Sequence, residues 1–241
     1  PVVPHADFAG QSGGGAYSDA LMEMDYNTGV LLDALKEAGA ERDTIVVWMY
    51  DNGATRRAPD GEQNADPGPW SGDLGSAWEG GLRTAAIVRW PGHVGAGGIG
   101  DEMVHIMDFY PTLARVAGQA VPDDRPIDGV DQLSYLTGEA DRSARESRFV
   151  FYLDRLVAIR FRQFKLHQVI FPRVGGALSK GEDLEVPQLY NLRSDPKEMY
   201  DILSRSGGLP IAKAVKDTTK PYFESLRKYP NEDYTRMQRD R

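Results

Sequence analysis

The sequence predicts an α/β fold: a mixed, largely parallel sheet, followed by a small antiparallel C-terminal subdomain. Three observations carry that reading. Ile45–Tyr50 is an uncharged run of β-branched and aromatic residues ending at Asp51-Asn52-Gly53. Such a run reads as a strand buried on both faces, the kind found in mostly parallel sheets. Before it, Leu21, Met24, Thr28, Leu31 and Leu35 recur at spacings of three and four, the stripe of an amphipathic helix. After Arg148, short segments of alternating character lie close together, as in an antiparallel sheet.

Composition sets the outer limits. A chain of 241 residues is one large domain or one domain with an appendage, and 41% apolar content supports a sizeable core. The net charge of −8 argues against nucleic acid as a partner. No run of 18 apolar residues is present, so no transmembrane helix is expected. With no cysteine there is neither a disulfide nor a thiolate nucleophile or ligand, and the compartment stays open. The chain opens on Pro-Val-Val-Pro-His with no Met and no signal peptide, which reads as a start in mid-protein or as a processed mature terminus.

Along the chain, residues 1–15 read as a loop rich in Gly and Pro that contains His5. Helix is expected from about Tyr17 to Ala38, closed by Gly39, and the strand follows after Arg42-Asp43. Residues 54–81 form a long polar stretch with Trp70 and Trp78, ending in Glu79-Gly80-Gly81-Leu82-Arg83. Loops of that length are functional or mobile. A second strand is expected over Ala85–Trp90 and a helix over Val104–Ala117, capped by Asp108 and closed by Gly118. Asp128 is read as the cap of a short helix, Val130–Leu136. His105 lies among apolar residues and reads as a satisfied histidine rather than a ligand. Strands are expected over Phe149–Tyr152, Leu156–Phe161, Phe164–Ile170 and Leu189–Leu192, then a turn and helix from Ser194 and a Pro221-interrupted helix over Ile211–Tyr229. The domain division expected is 1–147 and 148–241.

Asp51 and Asn52 are the residues with the clearest chemistry. A carboxylate beside an amide oxygen at a strand's carboxyl end makes a pair of hard donors suited to Ca²⁺ or Mg²⁺. Asn-Gly is also a common hairpin turn. A hairpin needs a returning strand, and residues 54–69 offer only polar, Gly and Pro residues.

Taken in order, DYNTGVLLDAL, TIVVWMYDNG, WEGGLRTAAIVRWPG, HIMDFYPTLARVAG, PIDGVD, and FKLH followed by LYNLRSDPKEMYD resemble the C-terminal half of a type I sulfatase, of the arylsulfatase branch of the alkaline-phosphatase-like superfamily. The resemblance covers nearly the whole chain. It implies a largely parallel sheet between helices, incomplete here, with residues 1–147 as the C-terminal part of the catalytic domain and 148–241 as a small antiparallel subdomain with a terminal helix. It also implies hydrolysis of a sulfate ester on a sulfated small molecule or glycan. The nucleophile in such enzymes is a formylglycine hydrate made from a C/S-x-P-x-R motif, and Ca²⁺ (with Mg²⁺ possible) offsets charge at the sulfate. Asp51 and Asn52 match the family's Asp-Asn metal ligands, and the resemblance makes His5 either the family's histidine near the leaving group or a second, substrate-lining histidine. A periplasmic or secreted location follows from the resemblance alone.

The departures are informative. No C/S-x-P-x-R motif occurs, so the formylglycine is expected in a missing N-terminal half; that half, or another chain, is needed to complete the fold. Where the family places a sulfate-binding Lys, five residues before Glu79, this chain has Leu74. Arg56 and Arg57 are the local candidates to hold the sulfate instead. Two alternatives share the fold: a phosphatase, phosphodiesterase or phosphonate hydrolase, and a non-catalytic Ca²⁺-binding domain. Without a nucleophile precursor, these 241 residues alone should not turn over a chromogenic aryl sulfate with Ca²⁺ present; hydrolysis well above a buffer blank would contradict this.

Overall fold

A computed structural model of the chain describes residues 2–55, 65–174 and 180–230. Two compact units are present, Pro1–Gly98 with Phe171–Glu182, and Ile99–Ile170 with Asp183–Arg241.

The first unit opens with α1 (Ala16–Glu37). Its stop matches the glycine signal: Gly39 takes φ 66°, its N–H donates to Lys36 O, and Ala40 N–H donates to Leu35 O. That closure satisfies carbonyls that a helix end leaves open. Of the expected stripe, Leu21, Met24, Thr28 and Leu35 are partly buried, but Leu31 is exposed. The N-terminal loop is tied to α1 through Asp19, whose carboxylate accepts from Gly10 N–H at 2.8 Å and from the Ser12 N–H and hydroxyl at 2.9 and 2.6 Å. The Ser12 hydroxyl, then the Ser12 and Gly10 N–H groups, hold this carboxyl below the usual range.

The strand after α1 is shorter and less buried than the sequence suggests. β1 spans Val46–Met49 with every residue half-buried. It pairs antiparallel with β2 (Ala86–Arg89), Val46 opposite Arg89 and Met49 opposite Ala86. The expectation of a largely parallel sheet is therefore corrected: the observed pairings are antiparallel, and the architecture is mixed α/β. An uncharged β-branched run fits any strand with partial cover on both faces, so composition alone did not fix strand direction. Between β1 and β2 lies α2 (Glu79–Leu82).

The second unit holds α3 (Phe109–Val116), α4 (Leu133–Leu136), strands β3 (Ser147–Tyr152), β4 (Arg155–Phe161), β5 (Phe164–Ile170) and β6 (Glu182–Asn191), and helices α5 (Gly208–Asp217) and α6 (Lys220–Lys228). The strands form one sheet in the order β3-β4-β5-β6. Both β3–β4 and β4–β5 are antiparallel, as the alternation after Arg148 predicts. One face packs Ile159, Leu166 and Leu189 with Leu203 and with Val215 of α5 into the core. Pro221 interrupts the terminal helix as expected, standing in the first turn of α6. The segment from Ser194 forms turns rather than a helix. The Asp195 carboxylate accepts from Met199 and Tyr200 N–H, both at 2.8 Å, and this local bonding competes with helix. Glu198, at φ 53°, is fully buried against Lys165 at 3.2 Å and His167 at 2.6 Å.

Two expected caps are corrected. Asp108 makes no side-chain cap to α3. Its buried carboxylate instead gathers His105 N–H, Val130 N–H and the Arg145 guanidinium around one point. Asp128 does not cap α4; its carbonyl accepts from Arg145 at 2.7 Å, and Asp131 accepts from Leu133 N–H at 2.9 Å. His105 is a satisfied histidine, with Nδ1 accepting from Met107 N–H at 3.2 Å. Burial, then the Arg148 and Arg145 charges, lower its pKa against the pull of Asp108.

Burial works to raise the Asp108 pKa, but Arg145 and the two N–H donors outweigh it and hold the carboxyl below its usual range. Arg145→Ala leaves an uncompensated buried charge and should cost about 3–5 kcal/mol in urea unfolding at neutral pH. Because the folded carboxyl titrates below its unfolded value of about 3.9, its stabilisation is complete above that value. It should fade as pH falls through the lower folded value, bringing wild type and Asp108→Asn together.

Candidate metal and substrate site

Asp51 and Asn52 follow β1 after a single residue, Tyr50. Asp51 is exposed, Asn52 half-buried and Gly53 buried. The pair is not the turn of a tight hairpin, since the strand returning against β1 starts at Ala86. The backbone after Asn52 runs against the Glu79-Gly80-Gly81 turn instead. Gly53 N–H donates to Gly81 O at 3.2 Å and Ala54 N–H to Gly80 O at 3.1 Å. A Cβ at Gly53 would collide with Gly80 O and with Gly81, so only glycine allows this approach. Asn52 Nδ2 donates to Gly53 O at 2.9 Å. That bond turns the amide N–H₂ toward the backbone.

This donor set fits a hard divalent cation, since both atoms are oxygens and one is anionic. It supplies two ligands where Ca²⁺ takes about six to eight. Among the described residues no group of three or more His, Cys, Asp or Glu side chains could hold a metal ion.

The Glu79–Gly81 turn is itself braced. Glu79 is buried and accepts from Arg83 Nε at 2.6 Å. The Arg83 guanidinium also stacks 4.8 Å from the Trp70 ring centroid. Leu74 donates its N–H to Ala54 O at 2.9 Å, so its backbone meets the chain two residues after Asn52. Trp78 is a packing anchor rather than a cleft wall: it is 2% exposed, and its indole N–H donates to Phe171 O at 2.8 Å. Sequence reasoning missed Phe171 and Arg173 as parts of this region, and nothing local in the sequence marks contacts 93 residues apart.

His5 is exposed in the N-terminal loop. Its Nδ1 lies 3.4 Å from an Asp7 carboxylate oxygen and accepts from Asp7 N–H at 3.3 Å, and its own N–H donates to Glu23 at 2.7 Å. None of these contacts reaches Asp51 or Asn52. Arg56 and Arg57 lie outside the described residues.

Fold and site together define a mixed α/β protein with an oxygen-donor pair presented at a strand end by a glycine-lined turn. A family model described as Sulfatase matches residues 9–119. One described as N-sulphoglucosamine sulphohydrolase, C-terminal, matches residues 73–224, more than half of the chain. The chain is 41% identical over 157 residues to steryl-sulfatase of Mus musculus, covering 64% of this chain and 25% of that protein. It is 33% identical over 223 residues to human arylsulfatase D, covering 82% and 37%. Its fold superposes on the crystal structure of the PsFucS1 sulfatase from Pseudoalteromonas sp. with a TM-score of 0.82 at 30% identity, covering 95% of this chain and 46% of that one. The chain belongs to the type I sulfatase family, and it spans less than half the length of each of these relatives.

Asp51→Ala should lose Ca²⁺ affinity in calorimetric titration of the full-length protein, and Asn52→Ala should lose less, because a charged ligand contributes more than a neutral one. Wild-type affinity in both variants would remove the pair from the metal site.

Proposed function

We propose that the chain is part of a sulfuric ester hydrolase that acts on a sulfated small molecule or glycan. The observation that carries this reading is the Asp51–Asn52 donor pair, fastened through Gly53 to the Gly80–Gly81 turn, in a chain of the sulfatase family. The names of similar proteins support the substrate class: steryl-sulfatase, arylsulfatase D and N-acetylgalactosamine-6-sulfatase.

In this reading Asp51 and Asn52 hold a divalent cation, Ca²⁺ or Mg²⁺, which when bound neutralises charge on the sulfate as the ester oxygen leaves. Asp51 contributes the carboxylate that makes the site selective for a cation, and Asn52 the neutral oxygen oriented by Gly53. His5 donates a proton toward the leaving-group oxygen. Arg56 and Arg57 take the place of the absent Lys at Leu74, because a planar guanidinium can grip two sulfate oxygens at once. The formylglycine nucleophile is contributed from outside these 241 residues, which contain no Cys and no C/S-x-P-x-R motif.

Residues 1–147 then belong to the catalytic domain, whose sheet is completed by further protein, and 148–241 form the C-terminal subdomain. The exposed apolar side chains of α1 and β2, among them Tyr26, Val30, Leu31 and Ile87, support cover by the rest of the protein or by another chain. A periplasmic or secreted location is proposed on family resemblance; among the described residues no helix is long and apolar enough to cross a membrane.

Kinetics of the full-length protein on matched sulfate and phosphate esters test the reading. Sulfate turnover should dominate; phosphate turnover without sulfate turnover would favour a phosphatase relative. Changing Arg56 or Arg57 to Ala should cut kcat/KM at least about 10²-fold, roughly 2.7 kcal/mol of transition-state stabilisation. The other substitution should be near neutral. Ca²⁺ affinity should hold in both. Wild-type kinetics in both variants would place the sulfate-binding cation elsewhere.

A further inference from the structure

We propose that Trp78, gripped by Phe171 and Arg173, is a positioning residue for the Asp51–Asn52 pair. The proposal rests on the metal-site reading above and adds residues that sequence motifs do not point to.

The Glu79–Gly81 turn is held partly by its own Glu79–Arg83 pair and partly from outside. Its helix, α2, is four residues long, and a single helical turn is not stable without outside contacts. Trp78, the residue immediately before it, supplies such contacts. The indole is buried at 2% exposure and meets two groups from the segment that follows β5. Its N–H donates to Phe171 O at 2.8 Å, and the Arg173 guanidinium lies 3.9 Å from its ring centroid. Phe171 is itself buried. On the opposite flank, Gly72 at φ 93° passes so close that a Cβ there would strike Trp78 Cβ and Cγ. The indole is thus held by a hydrogen bond, a cation over its face and a backbone against its stem.

From Trp78 the path to the site is backbone throughout. Trp78 O accepts from Gly81 N–H at 3.1 Å, and Gly80 N–H donates to Ser71 O at 2.7 Å. Gly80 O and Gly81 O then accept from Ala54 and Gly53. Gly53 O in turn accepts from the Asn52 amide. Each link is a directional bond with no flexible side chain between Trp78 and Gly53. A shift of the indole is therefore passed to the Asn52 oxygen, and a displacement of about 1 Å at a reacting centre can cost on the order of 10²-fold in rate.

Hydrogen exchange, Ca²⁺ titration and kinetics on the full-length protein, as wild type, Arg173→Ala, Arg173→Lys and Trp78→Phe, test the proposal. Arg173→Ala should speed amide exchange roughly tenfold or more in peptides covering 50–55 and 71–82, leaving the β3–β6 sheet at its wild-type rate. It should weaken Ca²⁺ binding and lower kcat more than it raises KM. Arg173→Lys, which keeps a cation over the ring, should restore part of each effect. Trp78→Phe keeps a face for the cation but loses the N–H donor, and should fall between. Wild-type exchange in the two peptides for both Arg173→Ala and Trp78→Phe overturns the proposal, as does a rise spread evenly over the chain. If exchange and Ca²⁺ affinity shift together while the wild type cleaves no sulfate ester, the positioning role stands and the hydrolase reading falls.

Discussion

The site depends on one constraint, the approach of two backbones with no side chain between them. Gly53 meets Gly80 and Gly81 so closely that a Cβ at Gly53 has no room, and Gly80 and Gly81 are equally closed off by Ser71 O and Asp73 O. Three glycines therefore act as a joint. It replaces side-chain packing with N–H to carbonyl bonds, which are directional and satisfy groups that burial would otherwise leave unpaired. A joint of this kind fixes the spot where β1 ends, and with it where Asp51 and Asn52 emerge. Strand direction matters less than this. The pair sits at the carboxyl end of a strand as expected, but an antiparallel partner supports that strand and a turn aims its end.

The second unit solves a different problem, that of keeping charge inside. Asp108 and Glu198 are both almost fully buried. Asp108 is met by a guanidinium and two backbone N–H groups that draw together Val130, His105 and the residues before β3. Glu198 is met by Lys165 and His167 of β5, at the cost of a left-handed backbone at a residue with a side chain. Replacing either acid with an apolar group could leave stability similar, yet it would remove the directional contacts that select one loop path over others. The buried acids specify how loops of irregular sequence meet the sheet.

Legibility in the sequence follows the range of each interaction. Helix and strand positions were readable where period and local chemistry agree, as in α1, closed by Gly39, and β3–β5, separated by short turns. The position of Asp51 and Asn52 at the end of a strand was readable because the uncharged run stops just before them. Strand direction was not, since a half-buried run such as Val46–Met49 has the same composition in either sense. Asp108 and Asp128 look like helix caps because a cap is the commonest short-range use of Asp; the true partner of both, Arg145, is distant in sequence. Trp78 was visible as an aromatic in a long loop, but whether it lines a cleft or anchors a turn is decided by Phe171.

The distribution of burial in the first unit ties these points together. Its buried apolar side chains, among the described residues, are Pro67, Ala77, Trp78 and Phe171, all at the turn. Along α1, by contrast, Asp19 is the buried residue, and Tyr26, Val30 and Leu31 face outward. Hydrophobic free energy scales with area removed from water, so the unit's internal stabilisation is concentrated beside the candidate site rather than beneath its longest helix. An ordinary domain keeps its rigid core away from the reacting groups and hangs mobile loops around them. Here the loop is the core. The residues that fix Gly80 and Gly81 are also those that hold the unit together, so geometry at Asp51 and Asn52 is coupled to the stability of the unit that carries them.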